Sequence, residues 1–219
     1  MTFCLDTIII KPDDNKEIRN AIILLHGYGG DGNDISILSL NWKRYLPNTV
    51  FICPNGHEKC AINPSGFQWF DLTKDDPDFI LEQSIKAEKK LNKFIDEIKK
   101  KFNLENDKIC LSGFSQGCMM SINLGLISSE NYNCIIGFSG KIIDKTDLEK
   151  RKISTTKMLL IHGELDEIVS PSSLLEAKDF LIRNNVEIET SMIKNCGHHI
   201  SVDASSLALN YIKNNLFLQ

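Results

Sequence analysis

The chain has 219 residues, of which 42% are hydrophobic and 25% charged, with a formal net charge of −4. That length suits one domain over residues 1–219 with a sizeable core, and the mild negative charge gives no electrostatic case for nucleic acid or an acidic membrane as partner. No apolar run approaches the roughly 20 residues that span a bilayer, so stable membrane insertion is not expected.

The start, Met1 to Ile10, carries Asp6 and no early lysine or arginine, which argues against a secretory signal. The seven cysteines are odd in number, scattered and without a Cys-x-x-Cys. Free thiols in a reducing cytoplasm, most of them small buried apolar residues, are the expectation.

In chain order, strands are expected at Thr7–Ile10, Ala21–Leu25, Val50–Cys53, Lys108–Leu111, Cys134–Phe138, Met158–Ile161 and Glu187–Ile193. Several are apolar throughout, as in strands covered on both faces. The turn-rich segment Lys11 to Asn20 predicts that the first two strands form an antiparallel hairpin. Helices are expected at Ile35–Tyr45, Asp78–Lys101, Gln116–Ser128, Ser172–Asn184 and Ser201–Asn214. The second is the clearest, with Leu81, Ile85, Leu91, Phe94, Ile95, Ile98 and Phe102 at helical spacing. Its lysines alternate with Glu82, Glu88, Asp96 and Glu97, which reads as a solvated face. Repeated βα order implies an α/β fold, a mostly parallel sheet of about seven strands with helices on both faces. The irregular stretch Pro54 to Pro77 is the exception, and a loop of that length in a compact chain is usually functional.

Chemistry concentrates at Gly113-Phe114-Ser115-Gln116-Gly117, a Gly-x-Ser-x-Gly pattern between a predicted strand and a predicted helix. A nucleophilic serine sits on such a turn, which lifts its hydroxyl clear of the backbone. Serine needs an imidazole to take its proton and a carboxylate to orient that imidazole. In an open α/β sheet these partners lie on loops after later strands, in the order serine, acid, histidine. Asp166 follows the strand Met158–Ile161, and His198 follows the last strand. Glu164 and Glu167 are rival acids, and Asp166 also reads as a cap for the helix near Pro171. His199 is a rival base. Gly197 favours His198, because it lets the turn project the ring towards the serine. Cys118 is a poor rival nucleophile, being one turn into the helix.

An oxyanion needs two backbone donors. One is the N–H of Gln116, at the amino end of its helix. The other belongs to the loop His26-Gly27-Tyr28-Gly29-Gly30-Asp31-Gly32, whose glycines allow close approach. That loop lacks the ending of a P-loop and the spacing of a dinucleotide fingerprint.

Six segments, in order, resemble the phospholipase/carboxylesterase family, which includes acyl-protein thioesterases and small bacterial carboxylesterases. They are Leu25 to Gly32, Gln68-Trp69-Phe70-Asp71, Gly113 to Gly117, Gly137-Phe138-Ser139-Gly140, His162 to Val169, and Gly197-His198. The resemblance implies an α/β-hydrolase fold without a large cap domain and a triad of Ser115, Asp166 and His198. It implies oxyanion donors at Tyr28 and Gln116, and an acyl pocket bordered by Trp69 and Phe70, for which core packing is the other reading. His199-Ile200 departs from the small polar residue of eukaryotic thioesterases and leans towards the bacterial esterases.

The expected reaction is hydrolysis of a short- to medium-chain acyl ester, or a thioester, through an acyl-enzyme on Ser115, without metal or organic cofactor. Trp69, Phe70, Met119, Ile168 and Ile200 are expected to give an apolar lining. Lysophospholipase or protein thioesterase activity uses the same triad, and an inactive binding module is the reading from another class. Homodimer formation is left open by the sequence.

Overall fold

A computed structural model describes residues 3–13, 16–151 and 153–216. Part of the Lys11 to Asn20 connection and the first two residues of the Met1 to Ile10 stretch therefore lie outside the described residues. The strands are β1 (Thr7–Ile10), β2 (Asn20–Leu25), β3 (Thr49–Pro54), β4 (Glu58–Lys59), β5 (Phe67–Gln68), β6 (Ile109–Phe114), β7 (Cys134–Phe138), β8 (Met158–Gly163) and β9 (Ile188–Ile193). The helices are α1 (Gly32–Trp42), α2 (Pro77–Phe102), α3 (Gln116–Ile127), α4 (Lys145–Lys150), α5 (Ser172–Arg183) and α6 (Val202–Leu216).

Seven strands form one sheet in the order β1-β3-β2-β6-β7-β8-β9, with β1 antiparallel to β3 and every other pair parallel. This is the α/β-hydrolase architecture. The expected β1–β2 hairpin does not form, because β3 lies between those strands. A two-residue turn would oblige its strands to pair, but a connection as long as Lys11 to Asn20 can cross a neighbouring strand. β2 thereby gains parallel partners on both sides and is buried at all six positions.

Alternation along the strands builds two cores. Ile23, Leu25, Val50, Ile52, Leu111 and Leu160 face one side, packed with residues of α2, α3 and α5. Ile22, Leu24, Phe51, Ile136 and Ile161 face the other, packed with α1 and α6. The period of two puts successive side chains on opposite faces, so strands covered twice must be apolar throughout. Local chemistry sets the helix ends. The Asp76 side chain accepts from Phe79 N–H, Pro77 opens α2, and Asn103 closes it in the left-handed region. α3 is buried from Gln116 to Leu126. The short α4 and the β4–β5 ribbon were not expected, being too brief to show a periodicity.

The chain lays β3 and β1 to one side of β2, then turns to the other side through β6 to β9. The carboxyl ends of β2 and β6 therefore meet at the point where strand order reverses, which is where such sheets open a crevice. Among the described residues no helix is long and apolar enough to cross a membrane.

Leu111, in the central strand β6, is fully buried, whereas Leu40 is 73% exposed. Leu111→Ala is expected to lower the free energy of unfolding by about 2–5 kcal/mol. Leu40→Ala should change it by less than about 0.5 kcal/mol. Urea titration of both variants checks the contrast.

Candidate active site

Ser115 stands between β6 and α3 at φ 52° and ψ −115°, a backbone region that non-glycine residues avoid. The turn is tight because β6, α3 and β2 approach closely. A Cβ on Gly113 would run into the Gly117 carbonyl, and one on Gly117 into the Leu25 carbonyl. Backbone bonds hold the turn: Ser115 N–H donates to Phe138 O at 2.8 Å, and Met119 N–H to Ser115 O at 3.1 Å.

The three residues singled out in sequence come together. His198 Nε2 lies 2.9 Å from Ser115 Oγ, and His198 Nδ1 lies 2.8 Å from Asp166 Oδ2. The His198 ring packs against Phe114, with centroids 4.8 Å apart. The rivals Glu164 and His199 make other contacts. Glu164 accepts from Asn195 N–H at 3.2 Å, and His199 Nε2 lies 3.7 Å from Cys196 Sγ. Cys118 is buried, and burial pushes its thiol up to about 12, far from a reactive thiolate. Six of the seven cysteines are buried, and all are free thiols.

Asp166 is 5% exposed. Burial alone would raise its pKa. The His198 bond and the N–H groups of Val169 at 2.9 Å and Ile168 at 3.0 Å outweigh that and hold the carboxyl below its ordinary value. His162 Nε2 lies 3.3 Å from the same Oδ2 and 2.9 Å from Val169 O, so a second imidazole brackets the carboxylate.

The two expected oxyanion donors follow the carboxyl ends of β2 and β6. Gln116 is the first residue of α3, where N–H groups have no intrahelical acceptor. Tyr28 is at the corner of a turn closed by Gly30 N–H to Gly27 O at 3.1 Å, with Gly29 at φ +79°. The Tyr28 phenol is pushed up to about 12, first by burial and then by the Cys60 thiol.

Trp69 and Phe70, expected either to border the acyl pocket or to pack in the core, are deeply buried. They are 0% and 1% exposed and belong to the core. Their place is structural. Trp69 N–H donates to Gln116 Oε1 at 2.8 Å, Gln116 Nε2 donates to Phe70 O at 2.6 Å, and Trp69 Nε1 donates to His26 O at 2.9 Å. The stretch Pro54 to Pro77 is thus stitched to both oxyanion segments. Gly29 N–H to Phe67 O at 2.9 Å and Phe67 N–H to Gly30 O at 2.8 Å add two more ties. His26 takes part as a neutral ring. Its Nδ1 lies 2.7 Å from Gly27 O, its Nε2 accepts Gly56 N–H at 2.8 Å, and burial lowers its pKa. The side-chain role of Gln116 was missed in sequence, since a buried amide shows itself only through its partners.

A cavity of about 340 Å³ opens beside the triad. Ile200 lines it, as expected, together with residues of α1 that were not anticipated. Met119 is 6% exposed in the core, and Ile168 is 74% exposed. Among the described residues no group of three or more His, Cys, Asp or Glu side chains is placed to hold a metal.

Gln116→Met keeps the length of the side chain and leaves Trp69 N–H and Phe70 O without their partners. At about 1–3 kcal/mol for each buried unpaired group, a loss of roughly 2–6 kcal/mol in unfolding free energy is expected in urea. Asp166 gives a pH dependence of known sign. Its folded pKa lies below the unfolded value of about 3.9, so its contribution is present at neutral pH and is lost as pH falls through that range. The stability gap between wild type and Asp166→Asn should narrow from pH 7 to pH 3, measured by urea unfolding.

Comparison with known proteins points the same way. Residues 6–216 match the family model described as Phospholipase/Carboxylesterase. Acyl-protein thioesterase 1 of Schizosaccharomyces pombe is 25% identical over 199 residues, covering 86% of each chain. Esterase YpfH of Escherichia coli is 23% identical over 216 residues, covering 95% of this chain and 88% of the relative. The crystal structure of esterase PE8 superposes with a TM-score of 0.92 at 32% identity, covering 97% of this chain and 99% of the other. With the family model matched over nearly its whole length, the chain belongs to the phospholipase/carboxylesterase family of α/β hydrolases.

Proposed function

We propose that the protein hydrolyses carboxylic esters through a covalent acyl-enzyme on Ser115. The observation that carries this reading is the line Ser115 Oγ to His198 Nε2 at 2.9 Å and His198 Nδ1 to Asp166 Oδ2 at 2.8 Å. Both distances are those of working hydrogen bonds.

In this reading His198 takes the Ser115 proton as Oγ attacks the carbonyl carbon. Asp166, held ionised by its two backbone donors, fixes the ring and stabilises its charged form. The Tyr28 and Gln116 N–H groups receive the oxyanion, each worth roughly 2.7–4 kcal/mol to the barrier. His198 then protonates the departing alcohol, and the same imidazole activates water to release the acid. A thioester of the kind named in the thioesterase relative fits the same steps. The apolar space of about 340 Å³ is near the lower end of ligand pockets, which run from about 300 to 1,000 Å³. That size suits a short substituent of the ester better than a long lipid chain.

A fluorophosphonate probe should label Ser115 in the wild type and nothing in Ser115→Ala. Ser115→Ala and His198→Ala should each lower kcat on an activated ester by on the order of 10⁴–10⁶-fold. His199→Ala should retain acyl transfer. Folded protein that stays unlabelled beside a labelled control hydrolase would make the chain a binding module. Loss of activity in His199→Ala but not in His198→Ala would reassign the base.

A further inference from the structure

The cavity beside the triad is asymmetric with respect to the reacting atoms. Its apolar wall comes from Ile35, Ile37 and Leu38 of α1, with Phe114 and Ile200. The rest of the lining comes from the glycine-rich loop at His26 to Gly30, from Asp34, and from His198 and His199. Among the described residues that line it, neither Ser115 nor Gln116 appears. The space therefore opens between the glycine-rich loop and the His198 imidazole, with α1 as its far wall.

The direction of proton transfer gives that asymmetry a meaning. The acyl carbon bonds to Ser115 Oγ, and the leaving atom must come within hydrogen-bond reach of His198 Nε2 to receive its proton. A substituent running past the imidazole is thus attached to the leaving atom. We propose that this cavity is the leaving-group subsite, and that the protein acts on esters whose alcohol half carries the apolar bulk. This rests on the ester-hydrolase reading above. Ser115 Oγ forms a bond to the acyl carbon while its proton passes to His198. Collapse of the intermediate breaks the bond between carbon and alcohol oxygen, and the proton passes from His198 Nε2 to that oxygen. The acyl group stays on Ser115 and the neutral alcohol remains in the cavity.

Size and charge narrow the class of alcohol. An apolar cavity of roughly 150 Å³ binds benzene, so about 340 Å³ accommodates a ring with a short linker. Asp34 lies on the wall, its carboxylate accepting Asp31 N–H at 3.1 Å, and no lysine or arginine is among the described lining residues. A phosphate-bearing alcohol would meet that carboxylate with no lysine or arginine on the described wall to balance it. A neutral, ring-sized alcohol is the better match.

The test compares two ester series at one pH. Acetates of ethanol, 1-butanol and 2-phenylethanol vary the leaving group among alcohols of similar acidity. Ethyl esters of acetate, butyrate and octanoate vary the acyl chain. In the wild type, kcat/KM for 2-phenylethyl acetate should exceed that for ethyl acetate by at least about tenfold. Leu38→Trp, which fills the cavity, should lower that ratio by about tenfold and leave the ratio of ethyl octanoate to ethyl acetate in place. Ile37 is 62% exposed, so Ile37→Glu places a charge at the cavity with little risk to folding and should shift the same ratio. If the variants move the acyl ratio instead, the cavity holds the acyl chain and the inference fails. If folded variants move neither ratio, the cavity has no part in substrate binding. A wild type that hydrolyses no ester and resists the fluorophosphonate overturns the hydrolase reading, and this inference with it.

Discussion

The strained turn at Ser115 is the constraint on which the rest of the site depends. A residue at φ 52° and ψ −115° persists only where its surroundings over-determine it. Here three elements do so. β6 delivers the chain, β7 accepts the Ser115 N–H through Phe138 O, and α3 starts at once with its N-terminal amides facing the crevice. Gly113 and Gly117 allow the strand, the helix and β2 to close around the turn. Ser139, on the adjacent loop, also has a positive φ of 50°, and its N–H reaches Ile161 O at 2.8 Å. The strain is thus distributed over loops at the carboxyl ends of neighbouring strands.

Around that turn the polar groups form a closed set. Asp166 has an imidazole on each side and two backbone donors beneath it. Gln116 carries the proposed oxyanion amide on its backbone, while its side chain fastens Trp69 and Phe70. His26 and Trp69 link the glycine-rich loop to the same stretch. Each buried polar atom in this set that lost its partner would cost about 1–3 kcal/mol, so the set stands or fails together.

Sequence revealed what is local or strongly periodic. β1 and β7 fall on the expected residues, and α2 differs by one residue at each end. Asp166 and His198 were legible because strand order dictates which loops reach the serine. Strand adjacency was not legible, since β3 lies between β1 and β2 and nothing local in Lys11 to Asn20 encodes that. The roles of Trp69 and Phe70 stayed open between pocket and core for a related reason. An apolar aromatic in a motif can face either a ligand or a core, and its backbone partners decide which. The wall contributed by α1 was missed because Ile35, Ile37 and Leu38 read as ordinary positions of an amphipathic helix.

The stitching of Pro54 to Pro77 has a consequence for how the molecule comes apart. The segment has little regular structure of its own beyond the two-residue strands β4 and β5. Its order comes from bonds to Gln116, His26, Gly29 and Gly30. Outside its buried Trp69 and Phe70, such a segment opens locally at a free energy below that of the sheet. The triad sits on β6, β8 and β9 loops and does not need it, whereas both oxyanion segments do. Opening that also released Trp69 would leave the three side chains on an intact sheet while freeing the amides proposed to receive charge. The bonds that order this segment are thus also the ones that hold the amides proposed to receive the oxyanion.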